Sequence, residues 1–141
     1  MEIKQVTTKE QLEDAYFVRK TVFVDEQQVP LEEEIDQHEN EAAHVVLYDE
    51  EQPAGAGRVR VVDGYGKLER ICVMKSTRKK GAGKVIVNKL EELATKQGVK
   101  KLKLNAQTHA IPFYGKLGYE VISEEFMDAG IPHVTMLKEL N

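Results

Sequence analysis

The chain has 141 residues, 41% of them apolar, and a formal charge of −4. That length fits one domain over residues 1–141 with a core of its own, and the acidic balance excludes nucleic acid as the main partner, because a phosphate backbone calls for a net basic face. No apolar run approaches the roughly 20 residues of a membrane span, the start "MEIKQVTTKEQ" has no signal-peptide core, and the single Cys72 cannot close an internal disulfide, so a cytoplasmic protein without a membrane partner is expected.

Met1 to Val6 reads as a short strand. Residues 7–27 then predict a helix, with Thr8 as N-cap and Gln11 as its capping-box partner. Its apolar stripe is Leu12, Ala15, Tyr16, Val22 and Phe23, and Arg19 sits inside that stripe. Residues 28–42 are acidic and weakly periodic, a loop or a short irregular helix. Residues 44–48 and 55–62 read as two strands joined by a turn around "DEEQPA", and residues 67–73, "KLERICV", as a buried central strand. A helix from about Gly83 to Gln97 follows, presenting Ile86, Val87, Leu90, Leu93 and Ala94 to a core and stopping at Gly98. "KKLKLNA" is a strand and "IPFYGKLG" a short helix. "YEVISEEF" and "HVTMLKEL" close the chain as two strands around the turn "MDAGIP". The order implies an α/β (α+β) domain with a mixed sheet.

Residues 78–84, "RKKGAGK", place four cations around two glycines where the long helix begins. Basic residues oppose the positive end of a helix dipole, so their gathering there makes sense if an anion compensates. A P-loop does not fit, since Arg78 and Val85 stand where its first glycine and its hydroxyl residue belong, and the dinucleotide fingerprint G-x-G-x-x-G is absent. A solvated helix start with incidental lysines is the bland alternative.

Arg78-x-x-Gly81-x-Gly83 resembles the R/Q-x-x-G-x-G/A signature of the GNAT superfamily of acyl-CoA N-acyltransferases. "LNA" on the next strand and "AIPFYGKLGY", similar to the family's A-x-x-F-Y-x-x-x-G-[FY] element, extend the likeness over essentially the whole chain. The resemblance implies a GNAT fold, a central mixed sheet flanked by helices, with acetyl-CoA as acyl-donor cosubstrate. It implies that the CoA pyrophosphate lies on Arg78, Lys79, Lys80, Gly81, Ala82, Gly83 and Lys84, and that the pantetheine arm runs along Ile71, Cys72 and Val73 with Asn105 opposite.

By the same resemblance Tyr114 is the general acid for the leaving thiolate, with a core aromatic as the alternative role. Glu69, read on the opposite face of its strand from Cys72, is a candidate base, although counting back from Arg78 reaches Lys67. A water chain relayed by the backbone or by a histidine competes with it. Cys72 has no activating base near it in sequence and reads as a small hydrophobe. The four histidines have no metal-ligand spacing, so no metal is expected.

The acceptor, a small-molecule or peptide amine, is expected between the first helix, the acidic loop and the last strand pair. Candidates are Arg19, Phe23, Glu26 and His133, with Glu32, Glu33, Glu34 and Asp36 either drawing in a cationic amine or forming a solvated loop. For Arg19 a stem packed on the core with its head in water stays open. The reading is an N-acetyltransferase acting by direct attack in a ternary complex. A non-catalytic acyl-CoA sensor and, last, an acyl-homoserine-lactone synthase are the other options, and homodimer formation stays open.

Overall fold

A computed structural model describes residues 1–140; Asn141, the last residue of the expected single domain, lies outside them. After strand β1 (Glu2–Gln5), Thr8 caps helix α1 (Lys9–Arg19). Its hydroxyl accepts from the Gln11 N–H at 3.1 Å, and Gln11 Oε1 accepts from the Thr8 N–H at 3.1 Å, the reciprocal capping box expected from the sequence. The single regular helix expected over residues 7–27 is instead α1 followed by a π-helical stretch, Lys20–Glu26. Gln27 N–H reaches back five residues to Val22 O at 3.0 Å. The wider turns keep Val22 buried, while Val18 is the buried neighbour of Ala15 and Tyr16 is only half-buried.

The acidic segment holds a short helix, α2 (Leu31–Glu34). Three strands follow in antiparallel order: β2 (Ala43–Asp49), β3 (Gln52–Val62) and β4 (Tyr65–Val73). Their turns have two residues each, Glu50–Glu51 and Asp63–Gly64, all four at positive φ. Such turns match the strand twist, so β3 starts at Gln52 and the looser "DEEQPA" turn does not form. Helix α3 (Ala82–Lys96) crosses over to β5 (Lys101–Gln107), which pairs parallel to β4. Helix α4 (Ile111–Lys116) leads to β6 (Glu120–Val121), β7 (Phe126–Asp128) and β8 (Ile131–Glu139). The expected strand over 119–126 is therefore broken, because Ser123 Oγ accepts the Thr135 N–H at 2.8 Å in place of a ladder carbonyl. The turn after β7 tightens to Ala129–Gly130, both at positive φ.

The sheet order is β1-β2-β3-β4-β5-β8-β6, with β7 also on β8. Every pairing is antiparallel except β4 with β5, so β4 is central and the sheet mixed. Helix α3 covers one face, where Ile86, Leu90 and Ala94 pack with Val45, Leu68, Leu102 and Leu104. It lies so close that a Cβ at Gly57 would stand 2.9 Å from Leu90 Cδ1. Helix α1 and the π-helical stretch cover the other, with Ala15, Val18 and Val22 on Val46, Ala56 and Cys72. Each fully buried leucine or valine contributes about 1.5–3 kcal/mol. Among the described residues no helix is long and apolar enough to cross a membrane.

Candidate active site

Strands β4 and β5 are paired only from Gly66–Leu102 to Leu68–Leu104. Beyond that point they diverge, and the gap is part of a cavity of about 830 Å³. A β-bulge in β4 marks the divergence. Ala56 pairs with Cys72 and Arg58 with Glu69, so three steps on β4 match two on β3, and Arg70 takes a left-handed φ of 59°. The extra residue changes the parity of the strand. Glu69 and Cys72 therefore share the α1 face, not opposite faces as alternation alone predicts, while Ile71 and Val73 pack toward α3.

Main-chain direction alternates too. Met74 N–H donates to Ala54 O at 2.7 Å, toward β3, so the main-chain groups of Val73 and Ile71 face the gap and those of Cys72 face β3. Cys72 is thus not an amide donor to the cleft, a correction to its expected role. Its side chain is a buried floor residue whose thiol is pushed up to about 12 by burial, and it stays protonated.

At the end of the gap the chain enters α3. Lys79 and Gly81 have φ of 71° and 81°, and the first intrahelical bond is Val85 N–H to Gly81 O at 3.3 Å. The amides of Ala82, Gly83 and Lys84 are left without intrahelical acceptors, a ready anion site. Gly83 also lets α4 approach, since a Cβ there would stand 3.0 Å from Phe113 Cζ. The cations do not all point at this site. Lys80 Nζ donates to Asp49 Oδ2 at 3.0 Å. Arg78 donates from Nε to Val73 O at 3.0 Å and from its two Nη atoms to Glu26 at 2.6 and 2.8 Å. Lys79 and Lys84 have no ion-pair partner among the described residues.

Tyr114, on α4, lies in the cavity wall. It is 8% exposed, held edge-on by Phe113 and Tyr119 at 4.9 and 6.0 Å between ring centroids. Its hydroxyl has no hydrogen-bond partner among the described residues, whereas the Tyr119 hydroxyl donates to Glu91 at 2.8 Å. Burial, and secondarily the Cys72 thiol, push the Tyr114 phenol above its ordinary pKa, so it carries its proton at neutral pH. Asn105, on β5, also lines the cavity, its Oδ1 accepting from Thr135 Oγ1 at 2.8 Å.

The model of the acetyltransferase (GNAT) domain matches residues 4–140. The chain belongs to the GNAT acetyltransferase family. It is 60% identical over 132 residues to the uncharacterized N-acetyltransferase YjcF of Bacillus subtilis (strain 168), covering 93% of this chain and 94% of YjcF. Its fold is similar to that of a provisionally assigned N-acetyltransferase from Lactobacillus plantarum, with a TM-score of 0.91, 27% identity and coverage of 99% and 98% of the two chains. A Bacillus subtilis acetyltransferase in complex with CoA shares the fold at a TM-score of 0.74, 18% identity and 99% coverage of both chains. Membership makes the chain an acyltransferase drawing on acyl-CoA.

On the acceptor side of this GNAT chain the outcome differs from the sequence expectation. Phe23, Glu26 and His133 line the cavity. Arg19 does not; it is 1% exposed, and its donors are taken by Glu34 Oε1 at 2.7 Å, Glu34 O at 2.9 Å and both Glu39 oxygens at 2.7 and 2.9 Å. A guanidinium so engaged cannot contact a substrate, and neither its stem-out nor its site reading holds. The acidic loop is not a solvated one either. Asp36 takes both Nη atoms of Arg58 at 2.8 and 2.9 Å, and Arg70 at 3.1 Å, while Glu32 and Glu33 stay at the cavity edge.

Glu69 faces Arg60 Nε at 2.7 Å, Arg58 Nη2 at 3.0 Å and Lys67 Nζ at 3.3 Å. Burial alone would raise its pKa, but these hydrogen bonds and charges outweigh it and hold the carboxyl below the usual range. That makes it a weak proton acceptor. Sequence reasoning missed Glu39, Arg58 and Arg60. The signal is "RVR" on β3, two arginines on one face, Arg58 directly across from Glu69 and Arg60 diagonal to it, once the Asp63–Gly64 turn fixes the register. His133 Nδ1 is 2.7 Å from Ile131 O, and its ring stacks on Phe126.

Proposed function

We propose that this single-domain chain transfers an acetyl group from acetyl-CoA to a primary amine by direct attack within a ternary complex. The observation that carries the reading is the divergence of β4 from β5, with an unpartnered, protonated Tyr114 hydroxyl in its wall and the free amides of α3 at its end. The GNAT neighbour solved with CoA supports CoA as the carrier.

Each group of the cleft then has a task. The amides of Ala82, Gly83 and Lys84, with Gly81 shaping the turn, receive the pyrophosphate, and Lys79 and Lys84 neutralise it. Ile71 and Val73 offer main-chain groups to the amide-bearing pantetheine arm, with Asn105 on β5. The bulge turns a main-chain N–H toward the thioester oxygen, where negative charge develops. Tyr114 gives its proton to the departing sulfur. The acceptor nitrogen must be neutral to attack, and its proton passes to water relayed along the cavity, since Glu69 is committed to its three cations. The protonated, buried Cys72 argues against an acyl-cysteine intermediate.

The test is calorimetric titration with acetyl-CoA, ATP and NAD, followed by release of free CoA thiol when an amine is added. Selective binding of acetyl-CoA with amine-dependent thiol release is expected. Equal binding of all three, or none, overturns the reading, and binding without turnover on any amine would favour an acyl-CoA sensor.

A further inference from the structure

Arg70 stands in the β4 bulge at a φ of 59°. Glycine rests in that conformation without strain and is a common bulge residue for that reason. A longer side chain persists there only where its surroundings hold it. The Arg70 guanidinium makes three such contacts. Nε donates to Glu34 O at 3.1 Å, and Nη2 donates to Glu33 O at 3.3 Å and to Asp36 Oδ2 at 3.1 Å. Glu33 and Glu34 end α2, so their carbonyls have no intrahelical donor, and Arg70 caps them.

Arg19 and Arg58 hold the same segment through Glu34 and Asp36. Both are 1% exposed, and neither lines the cavity. Among the described residues Arg70 is the cavity-lining side chain that donates to residues 31–36. It also borders the divergence, two residues past the last β4–β5 pair at Leu68 and next to Ile71, whose main chain faces the gap. One residue therefore joins two parts of the site. Its main chain leads into the β4 edge, and its guanidinium fixes the α2 side of the cavity. A planar fork of five donors suits three acceptors at once, which a lysine ammonium, a point charge, does not.

We propose that Arg70 is a positioning residue for acyl transfer, setting the α2 side of the cavity, against which the acceptor lies, at a fixed distance from the β4 edge that holds the thioester. This rests on the acyl-transfer reading above. Arg70 takes no proton and touches no reacting atom; it acts through the carbonyls and the carboxylate that it holds. Attack needs the amine about 3–3.5 Å from the thioester carbon, and a displacement of about 1 Å costs about a hundred-fold in rate. A helix of four residues is too short to keep its place unaided, so this distance depends on its anchors.

Arg70→Gly tests the role, because glycine keeps the left-handed φ and removes only the side chain. Amide hydrogen exchange at Glu34, Ile35 and Asp36 should quicken about ten-fold, the size of one lost hydrogen bond, while α3 keeps its protection. With acetyl-CoA and n-propylamine, kcat/KM for the amine should fall about a hundred-fold, with calorimetric affinity for CoA unchanged. Arg70→Lys, which reaches some of the same acceptors, should recover part of the loss. Unchanged exchange, or faster exchange with unchanged kcat/KM, overturns the proposal. So does a loss of CoA affinity that matches the loss of turnover, since the bulge itself would then have failed. A wild type that binds CoA but releases no thiol refutes transfer to this amine, and the positioning role falls with it; the exchange rates still judge the clamp separately. Where Arg70→Gly does not fold, Arg70→Asn replaces it, because asparagine also tolerates a left-handed φ and is too short to reach α2.

Discussion

Arg78 is the first residue of the phosphate-binding signature, yet its guanidinium is held by Glu26 from across the cleft mouth. Substituting Glu26→Gln removes the competing charge and leaves the rest of the loop in place. The magnitude follows from exposure. The two side chains are 37% and 36% exposed, so solvent screens the pair and it is worth about 0.5–1 kcal/mol, not the several of a buried pair. Freeing Arg78 for the pyrophosphate should therefore tighten CoA binding about two- to five-fold. The assay is calorimetric titration with CoA, wild type beside variant, at low salt and at about 1 M salt, where the screening length falls to about 3 Å. The gain should be present at low salt and shrink at high salt, with thermal stability changed by less than about 1 kcal/mol. Unchanged or weaker affinity at low salt would refute the reasoning, since Glu26 would then not compete with the anion.

Tyr114→Phe keeps the ring packing on Phe113 and Tyr119 but removes the proton donor. kcat should fall about a hundred-fold with KM for acetyl-CoA little changed, and equal kcat would remove the acid role. Gly81→Val forces a β-branched residue to φ 81° at about 1–2 kcal/mol; calorimetry should show weakened CoA binding while the far-UV spectrum stays native. Arg19→Met leaves Glu34 and Glu39 without their buried cation and should cost about 3–5 kcal/mol in urea denaturation; a loss below about 1 kcal/mol would argue against the network. For Glu39, burial alone would raise the pKa, but Arg19 and Arg58 outweigh it and hold it at about 2 against an ordinary 4.5. A carboxyl depressed in the folded state stabilises above its unfolded pKa, so up to about 3 kcal/mol should disappear as pH falls from about 4.5 toward 2. Urea midpoints that stay flat over that window would contradict it.

What was legible in the sequence was what short-range chemistry writes. The Thr8–Gln11 box, the apolar stripe of α3, the Gly98 stop and the glycine loop each depend on residues within a few positions of one another, and they stand where the pattern puts them. The π-helical stretch was not legible, because a bond from Gln27 back to Val22 leaves no trace in a 3.6-residue period. Nor was the arginine–carboxylate network, whose partners lie up to 36 positions apart in the Arg70–Glu34 contact.

The decisive illegible feature is the bulge at Arg70, an ordinary residue in a left-handed conformation that nothing in "KLERICV" announces. Reckoned from Cys72, strict alternation would turn Glu69 toward α3, into the apolar cluster of Leu90 and Leu102, where no cation waits to compensate it. The extra residue delivers it to Arg58 and Arg60 instead, and it aims the main chain of Ile71 and Val73 at the gap. One backbone distortion thus neutralises the carboxylate nearest the bulge and opens the β4 edge to a ligand.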